Sequence, residues 1–514
     1  MNYCCSFDHI LTYDEFKEWS KYIHECKTNY ITFYYPKDNI NAEIGTNYKL
    51  FNYYGAPDAE RVIVAMGSFN DVAEEVVDYL TAAGEKVGLI KVRLYRPFSA
   101  KHLLAAIPAT CKKIAVLDRT KEPGALGEPL YLDVVTALAT NGRADIKVIG
   151  GRYGLSSKDT TPDQILAVLN NVGKPRFTIG IKDDVTHLSL DIHEPIDPLP
   201  ADIYNCKFWG LGGDGTISAN KNSIKIIGNH TDKYVQAYYD YDSKKSRGLT
   251  ISHLRFGDSP IHAPYLVQKA DFVACHNPVY LHKYNMVQDV KDGGTFLLNC
   301  YWQEKDLEEA LPPQVKRYLA EHHIRLYIID AIRIGKEIGL NNKVSTILQA
   351  AFFRVTGIPP VEEAAALMKE AAENSYRKKG EKIVEMNFAA IDRGLRDVLE
   401  VQIPSSWAEI TDEDPLDVKT LPDHADIMDY VDNLQKKITR QEGNDLPVSA
   451  FLPYVDGAFP PGTTAHERRN VATEVPRWIP ENCIQCNRCS MVCPHAVIRP
   501  IAMTEEEKAK GVIA

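Results

Sequence analysis

Between Arg61 and Thr120, apolar runs of strand length alternate with amphipathic stretches of helix length, and this alternation restricts the fold more than any other feature. RVIVAMGS reads as a buried strand, NDVAEEVVDYLTAAG as a helix with one apolar stripe closed by Gly84, and KVGLIKVRLYRPF as a second strand stopped at Pro97. SAKHLLAAIP opens with a Ser N-cap and closes at Pro108, and KKIAVLDRT is a third strand. Parallel neighbours need a crossover connection, and crossover helices cover both faces of a sheet, so the order predicts an α/β doubly wound parallel sheet. The polar, Gly/Pro-rich DRTKEPGALGEPLY follows at the carboxyl end of the third strand, where open α/β sheets receive ligands or partners. A shaped contact between domains is the other reading of that loop.

A chain of 514 residues is too long for one hydrophobic core, which implies about three or four domains. PLPADIYN marks a boundary near residue 200, and FWGLGGDGTISANKNSIKIIG opens a second unit. Its strands ADFVAC, GGTFLLNC and IRLYIID and its helices KVSTILQAAFFRV and VEEAAALMKEAAENSYRKK predict a second α/β domain ending near residue 398. From Val401 to Pro480 prolines become dense and periodic segments few, which reads as an extended connector; residues 1 to about 40 match nothing that follows. A net charge of -10 without a polybasic tract speaks against a nucleic-acid partner, which requires phosphate neutralisation. No apolar run is long enough to span a bilayer, and MNYCCSFDHILTYDEF lacks the basic and apolar regions of a secretory signal, so a cytoplasmic protein is expected.

Of eleven cysteines, four are packed together. Cys483, Cys486, Cys489 and Cys493, with Pro494 behind them, have the C-x2-C-x2-C-x3-C-P spacing of bacterial-type ferredoxins. Two-residue gaps wrap the backbone around a cubane so that three thiolates reach three irons, and in two-cluster ferredoxins the fourth Cys serves the other cluster. Zinc is the competing reading, but zinc sites use spaced pairs rather than three cysteines in such a short run. A second motif is the glycine cluster Gly210, Gly212, Gly213 and Gly215, with Thr216, Asn220 and Lys221 beside it. Glycines let backbone N–H groups approach a phosphate closely, although a plain tight turn has the same composition. The order is neither a P-loop nor a dinucleotide fingerprint. Its GDG is similar to the thiamine diphosphate motif, but YDYDSKKSRG stands where that motif needs a paired Asn.

Taken together, YYGAPDAERVIVAMGS, KVRLYRPF, AVLDRTKEPGALGEPLY, GDGTISANKNSIKIIG, LTISHLRFG, FVACHNPVYL and CIQCNRCSMVCPHAVIRP resemble pyruvate:ferredoxin (flavodoxin) oxidoreductase over roughly residues 40 to 500. The resemblance implies an enzyme that oxidatively decarboxylates pyruvate on thiamine diphosphate, releases acetyl-CoA, and passes electrons singly through [4Fe-4S] clusters to ferredoxin or flavodoxin. It implies a multidomain α/β chain: an unmatched 1–47, a transketolase-C-like domain at 48–180, a coenzyme A-binding domain at 200–398, a linking domain at 399–478 and a partial ferredoxin domain at 479–514. Gly213, Asp214, Gly215, Thr216 and Ile217, with the cation of Lys245, match the coenzyme A positions, and Cys483, Cys486, Cys489 and Cys493 match the cluster ligands. The sequence departs from the family at Ser345, where Asn is more common, and at Glu385, near where a basic residue is usual. No catalytic residue is carried over. The resemblance further implies that thiamine diphosphate and magnesium bind parts of the complete, homodimeric enzyme outside this stretch, that this chain is an internal piece, and that alone it does not turn over. A coenzyme A-binding and electron-transfer subunit of the γ/δ type, a stand-alone electron carrier and a non-catalytic coenzyme A module are the other functions open to it.

Overall fold

Every residue of Arg61–Ala65 (β2) after the first is buried, because helices cover the sheet on both sides. The first of these, Phe69–Ala82 (α1), turns Phe69, Val72, Ala73, Val76 and Val77 inward as one stripe. It ends in a Schellman arrangement: Gly84 takes a φ of 86°, its N–H donates to Thr81 and that of Glu85 to Leu80. The computed structural model describes residues 41–42, 45–193, 195–242, 247–413, 427–467, 477–494 and 496–506. The chain divides into two units, Met1–Arg468 and Arg469–Ala514.

The first unit holds two sheets. Phe51–Gly55 (β1), β2, Val87–Val92 (β3), Lys113–Asp118 (β4), Lys147–Arg152 (β5) and Arg176–Thr178 (β6) form a six-stranded sheet in the order β1-β3-β2-β4-β5-β6. All neighbours are parallel except β1, which runs antiparallel along β3. Helices Ala100–Ala106 (α2), Pro129–Thr140 (α3) and Pro162–Asn170 (α4) complete the double winding, with one apolar core on each face. The strand order reverses between β2 and β4, so DRTKEPGALGEPLY stands at the switch point. Its base is fixed internally. Asp118 accepts from Leu130 N–H and Tyr131 N–H at the start of α3, and the buried Glu128 binds Arg152 at 2.6 Å and Arg176 at 2.9 Å. At its tip Leu126 is 89% exposed.

The second sheet contains Tyr204–Leu211 (β7), Tyr234–Tyr241 (β8), Leu249–Gly257 (β9), Ala270–Cys275 (β10), Val290–Asn299 (β11), Arg325–Ile329 (β12) and Leu399–Val401 (β13), in the order β13-β12-β11-β10-β7-β9-β8. β7, β10, β11 and β12 are parallel, β9 runs antiparallel between β7 and β8, and β13 runs antiparallel to β12. Thr216–His230 (α5), Ser345–Thr356 (α8), Val361–Tyr376 (α9) and Glu381–Asp397 (α10) cover one face, and Phe208, Phe272 and Phe352 interlock at ring separations of 5.2 to 5.5 Å within that core. Pro313–Glu321 (α6) and Ala331–Glu337 (α7) flank β12 in sequence.

The two sheets are joined through the segment after β9. Tyr265 donates to Glu75 on α1 at 3.0 Å, Leu266 N–H donates to Asp159 at 2.9 Å, and the Arg255 guanidinium lies 5.0 Å from the Tyr265 ring centre while donating to Asn205, Gln236 and the carbonyl of Ala263. Between residues 428 and 439 the chain runs through helical turns that bury Val431 and Leu434. Farther on, Val448 N–H donates to the Lys182 carbonyl, tying this stretch to the loop after β6. Among the described residues no helix is long and apolar enough to cross a membrane.

Candidate functional site

The chain leaves β7 through α5 to the edge strand β8, returns along β9 on one side of β7, and then places β10 on its other side. The carboxyl ends of β7 and β10 therefore flank a switch point, and the glycine cluster turns there. Gly213 and Gly215 take φ values of 90° and 92°, which glycine adopts without the penalty a Cβ would bring. A Cβ on Gly213 would meet nothing within 4 Å, so this backbone faces open space; one on Gly210 would lie 2.6 Å from Thr216 Oγ1. Gly212 N–H donates to the Gly248 carbonyl and anchors the other side of the turn.

Gly213, Asp214, Gly215, Thr216 and Ile217 form one continuous turn into the amino terminus of α5, where backbone N–H groups lack intrahelical partners. Asp214 faces inward: its carboxylate accepts from Leu211 N–H at 2.8 Å, Thr216 N–H at 2.7 Å and Thr216 Oγ1 at 2.8 Å. It shapes the loop. Ile217 is half-buried, and Lys221 Nζ sits 5.2 Å from the Tyr239 ring centre. Asn220 is buried, and its Nδ2 has no hydrogen-bond partner among the described residues. Lys245 lies outside the described residues.

Ser345 opens α8, and a Cβ added to Gly215 would lie 2.7 Å from its Oγ, so two helix amino termini approach each other at this glycine. Glu385 is exposed on α10. Replacing Gly215 by Ala is expected to cost about 1 to 2 kcal/mol from the left-handed backbone, with a further penalty from displacing Ser345. Urea unfolding of that variant and of Gly215→Ala combined with Ser345→Gly, which removes only the clash, separates the two contributions. Sequence reasoning passed over His276, whose Nδ1 lies 2.7 Å from Thr216 Oγ1. The available signal was its place immediately after ADFVAC, at the carboxyl end of a buried strand.

In the second unit Cys483, Cys486 and Cys489 are exposed and Cys493 is half-buried. Gln485 and Asn487 alternate with the first thiols at left-handed φ values of 57° each, and the short helix Arg488–Val492 separates Cys486 from Cys493. Among the described residues no group of three or more His, Cys, Asp or Glu is close enough to hold a metal, so the four thiols are not gathered around one point. The donor set nonetheless fits a cubane: sulfur ligands alone, at the ferredoxin spacing, on a tightly curled backbone. The remaining described cysteines are of another kind. Burial pushes the Cys111 thiol up to about 11 and that of Cys300 to about 12, and raises Cys206 and Cys275 as well, which leaves all four protonated and inert.

Comparison with known proteins gives four family matches. Residues 205–396 match the family described as pyruvate ferredoxin/flavodoxin oxidoreductase, residues 59–165 its core domain II, residues 417–472 a domain of unknown function and residues 475–498 a 4Fe-4S binding domain. Pyruvate:ferredoxin oxidoreductase of Moorella thermoacetica is 54% identical over 89% of this chain and 38% of its own length. The pyruvate-flavodoxin oxidoreductases of Enterobacter agglomerans and Klebsiella pneumoniae are 48% and 49% identical, each over 91% of this chain and 40% of their own length. The chain thus spans about two fifths of the length of these curated relatives, and over that span it belongs to the pyruvate:ferredoxin (flavodoxin) oxidoreductase family.

Proposed function

We propose that this chain contributes the coenzyme A-binding domain and part of the ferredoxin-type electron-transfer domain of a 2-oxoacid oxidoreductase acting on pyruvate. The reaction converts pyruvate and coenzyme A to acetyl-CoA, carbon dioxide, a proton and two electrons. The observation that carries the reading is the glycine turn at the carboxyl end of β7, open at Gly213 and running into the amino terminus of α5. Backbone N–H groups there suit a diphosphate. Gly213, Gly215 and Ile217 would meet it with main-chain donors, Asp214, bonded to the Thr216 N–H, would hold the turn in shape, and Lys245 would add a cation.

Cys483, Cys486, Cys489 and Cys493 would hold the iron-sulfur ligation. A [4Fe-4S] cluster supplies one-electron transfer there, which suits ferredoxin or flavodoxin as acceptor. Homodimeric assembly, a cytoplasmic location and the binding of thiamine diphosphate and magnesium by other parts of the complete enzyme belong to the same proposal.

Lys245→Ala is expected to weaken coenzyme A binding by about 1.5 to 3 kcal/mol through loss of one charge-assisted hydrogen bond. Titration calorimetry on the full chain checks this. Equal affinity of wild type and variant removes Lys245 from the site, and absence of coenzyme A binding by the wild type removes the assignment of the loop.

A further inference from the structure

Thr216 has one hydroxyl proton and two neighbours that contact its oxygen. Its Oγ1 lies 2.8 Å from Asp214 Oδ2 and 2.7 Å from His276 Nδ1. Leu211 N–H and Thr216 N–H both donate to the Asp214 carboxylate, whose oxygens accept, and the Thr216 hydroxyl donates to it as well. The contact with His276 then closes only if Nδ1 carries the imidazole proton. The resulting chain runs from His276 Nδ1–H to Thr216 Oγ1–H to Asp214, with the imidazole neutral. Burial, which holds His276 below its ordinary range against the opposing pull of Asp214, agrees with that neutral form.

His276 is itself held from behind. Its N–H donates to the Trp209 carbonyl on β7 at 2.9 Å, and its carbonyl accepts from Asn299 Nδ2 at the end of β11, also at 2.9 Å. Asn299 Oδ1 in turn accepts from Ala331 N–H, at 3.1 Å, where α7 begins. The main chain of His276 thus ties the carboxyl ends of β7, β10 and β11 together, and its imidazole joins them to the glycine turn.

We propose that His276 is a positioning residue for the glycine turn: as an Nδ1–H donor to Thr216 it sets the direction of the loop's hydrogen bonds and keeps the Gly213–Thr216 backbone presented toward a phosphate. The phosphate half of this statement rests on the reading of the turn as a diphosphate site. The proton order does not.

The test uses the full chain with 15N-labelled histidine, and His276→Asn to assign the His276 signals. Asn carries a side-chain N–H near the position of Nδ1, whereas the amide of His276→Gln reaches toward the position of Nε2. The expected spectrum at neutral pH has His276 neutral and protonated on Nδ1. Coenzyme A affinity is expected to change less than about twofold in His276→Asn and to fall by about tenfold in His276→Gln, as for one buried hydrogen bond. An Nε2–H tautomer, an imidazolium at neutral pH, or a glutamine variant that binds as tightly as wild type overturns the proposal. Should the wild type bind no coenzyme A, the diphosphate reading fails and amide exchange over residues 211–216 decides the positioning role. Faster exchange in the glutamine variant than in the asparagine variant supports it, and equal exchange overturns it.

Discussion

Cys486→Ala, tested by anaerobic reconstitution, is expected to abolish iron-sulfur uptake by the full chain, whereas Cys493→Ala is expected to leave it in place. The C-x2-C-x2-C-x3-C-P spacing assigns Cys483, Cys486 and Cys489 to three irons of one cubane and gives Cys493 to a different cluster. Gln485 and Asn487 take left-handed backbone on either side of Cys486, and the helix Arg488–Val492, which contains Cys489, lies between Cys486 and Cys493. Wild type should therefore take up about four irons per chain, with a small thiol or water at the fourth iron and marked sensitivity to oxygen. Iron and sulfide analysis with electron paramagnetic resonance gives the answer. About eight irons and two coupled spins per chain would refute a single cluster, and loss of iron in Cys493→Ala equal to that in Cys486→Ala would place Cys493 on the same cubane.

The parts of the fold legible in the sequence are those whose burial is two-sided. β2, β3 and β4 are largely apolar, with Lys91 the one charged residue away from their ends, because helices cover both faces, and α1 is legible because Phe69, Val72, Ala73, Val76 and Val77 repeat at helical spacing. β8 escaped notice because it is an edge strand, half exposed and rich in tyrosine, with no alternation to mark it. β9 escaped for the opposite reason. Every one of its residues is buried, yet Thr250, Ser252, His253 and Arg255 interrupt any apolar run, and only the fold supplies Asn205, Gln236 and Ala263 as partners for Arg255. α10 packs against α8 through Gly394, where an added Cβ would lie 2.3 Å from the Ile347 carbonyl oxygen.

The candidate site divides in the same way. Composition exposed the glycines and the cysteines, since their chemistry is local in sequence. It did not disclose which way Asp214 faces. An aspartate between two glycines at a helix start looks like a ligand contact, but its three acceptor bonds turn it into a brace. That outcome depends on where β7 ends and on the Leu211 amide there. His276 was illegible for a related reason: it comes from a strand sixty residues later, brought beside Thr216 only by the parallel pairing of β7 with β10.

Acidification is expected to weaken the wild-type chain through His253 by about 3 kcal/mol between pH 7 and pH 4.5. His253 lies on β9 beneath the segment that joins the two sheets, and its Nδ1 accepts from Val267 N–H at 3.2 Å, so that nitrogen presents a lone pair. Burial, with the positive charges of Lys207 and Arg255 nearby, pushes the imidazole down to about 3. In the unfolded chain the same group titrates near 6.5. As pH falls past 6.5 the unfolded state takes up a proton that the native state refuses, so stability is lost from there down to about 3, at about 1.4 kcal/mol per unit of pH. Tyr265, Leu266 and Val267 are held by Glu75, Asp159 and His253 respectively, so protonating His253 strikes the contact between the sheets. His253→Gln cannot take up that proton. Carboxylates such as Asp240 and Asp289, raised by burial, titrate in both proteins and cancel in the comparison. Urea midpoints at the two pH values should therefore fall further in wild type than in the variant. Equal falls would show that native His253 takes up its proton as readily as the unfolded chain does and that the joint between the sheets is indifferent to its charge.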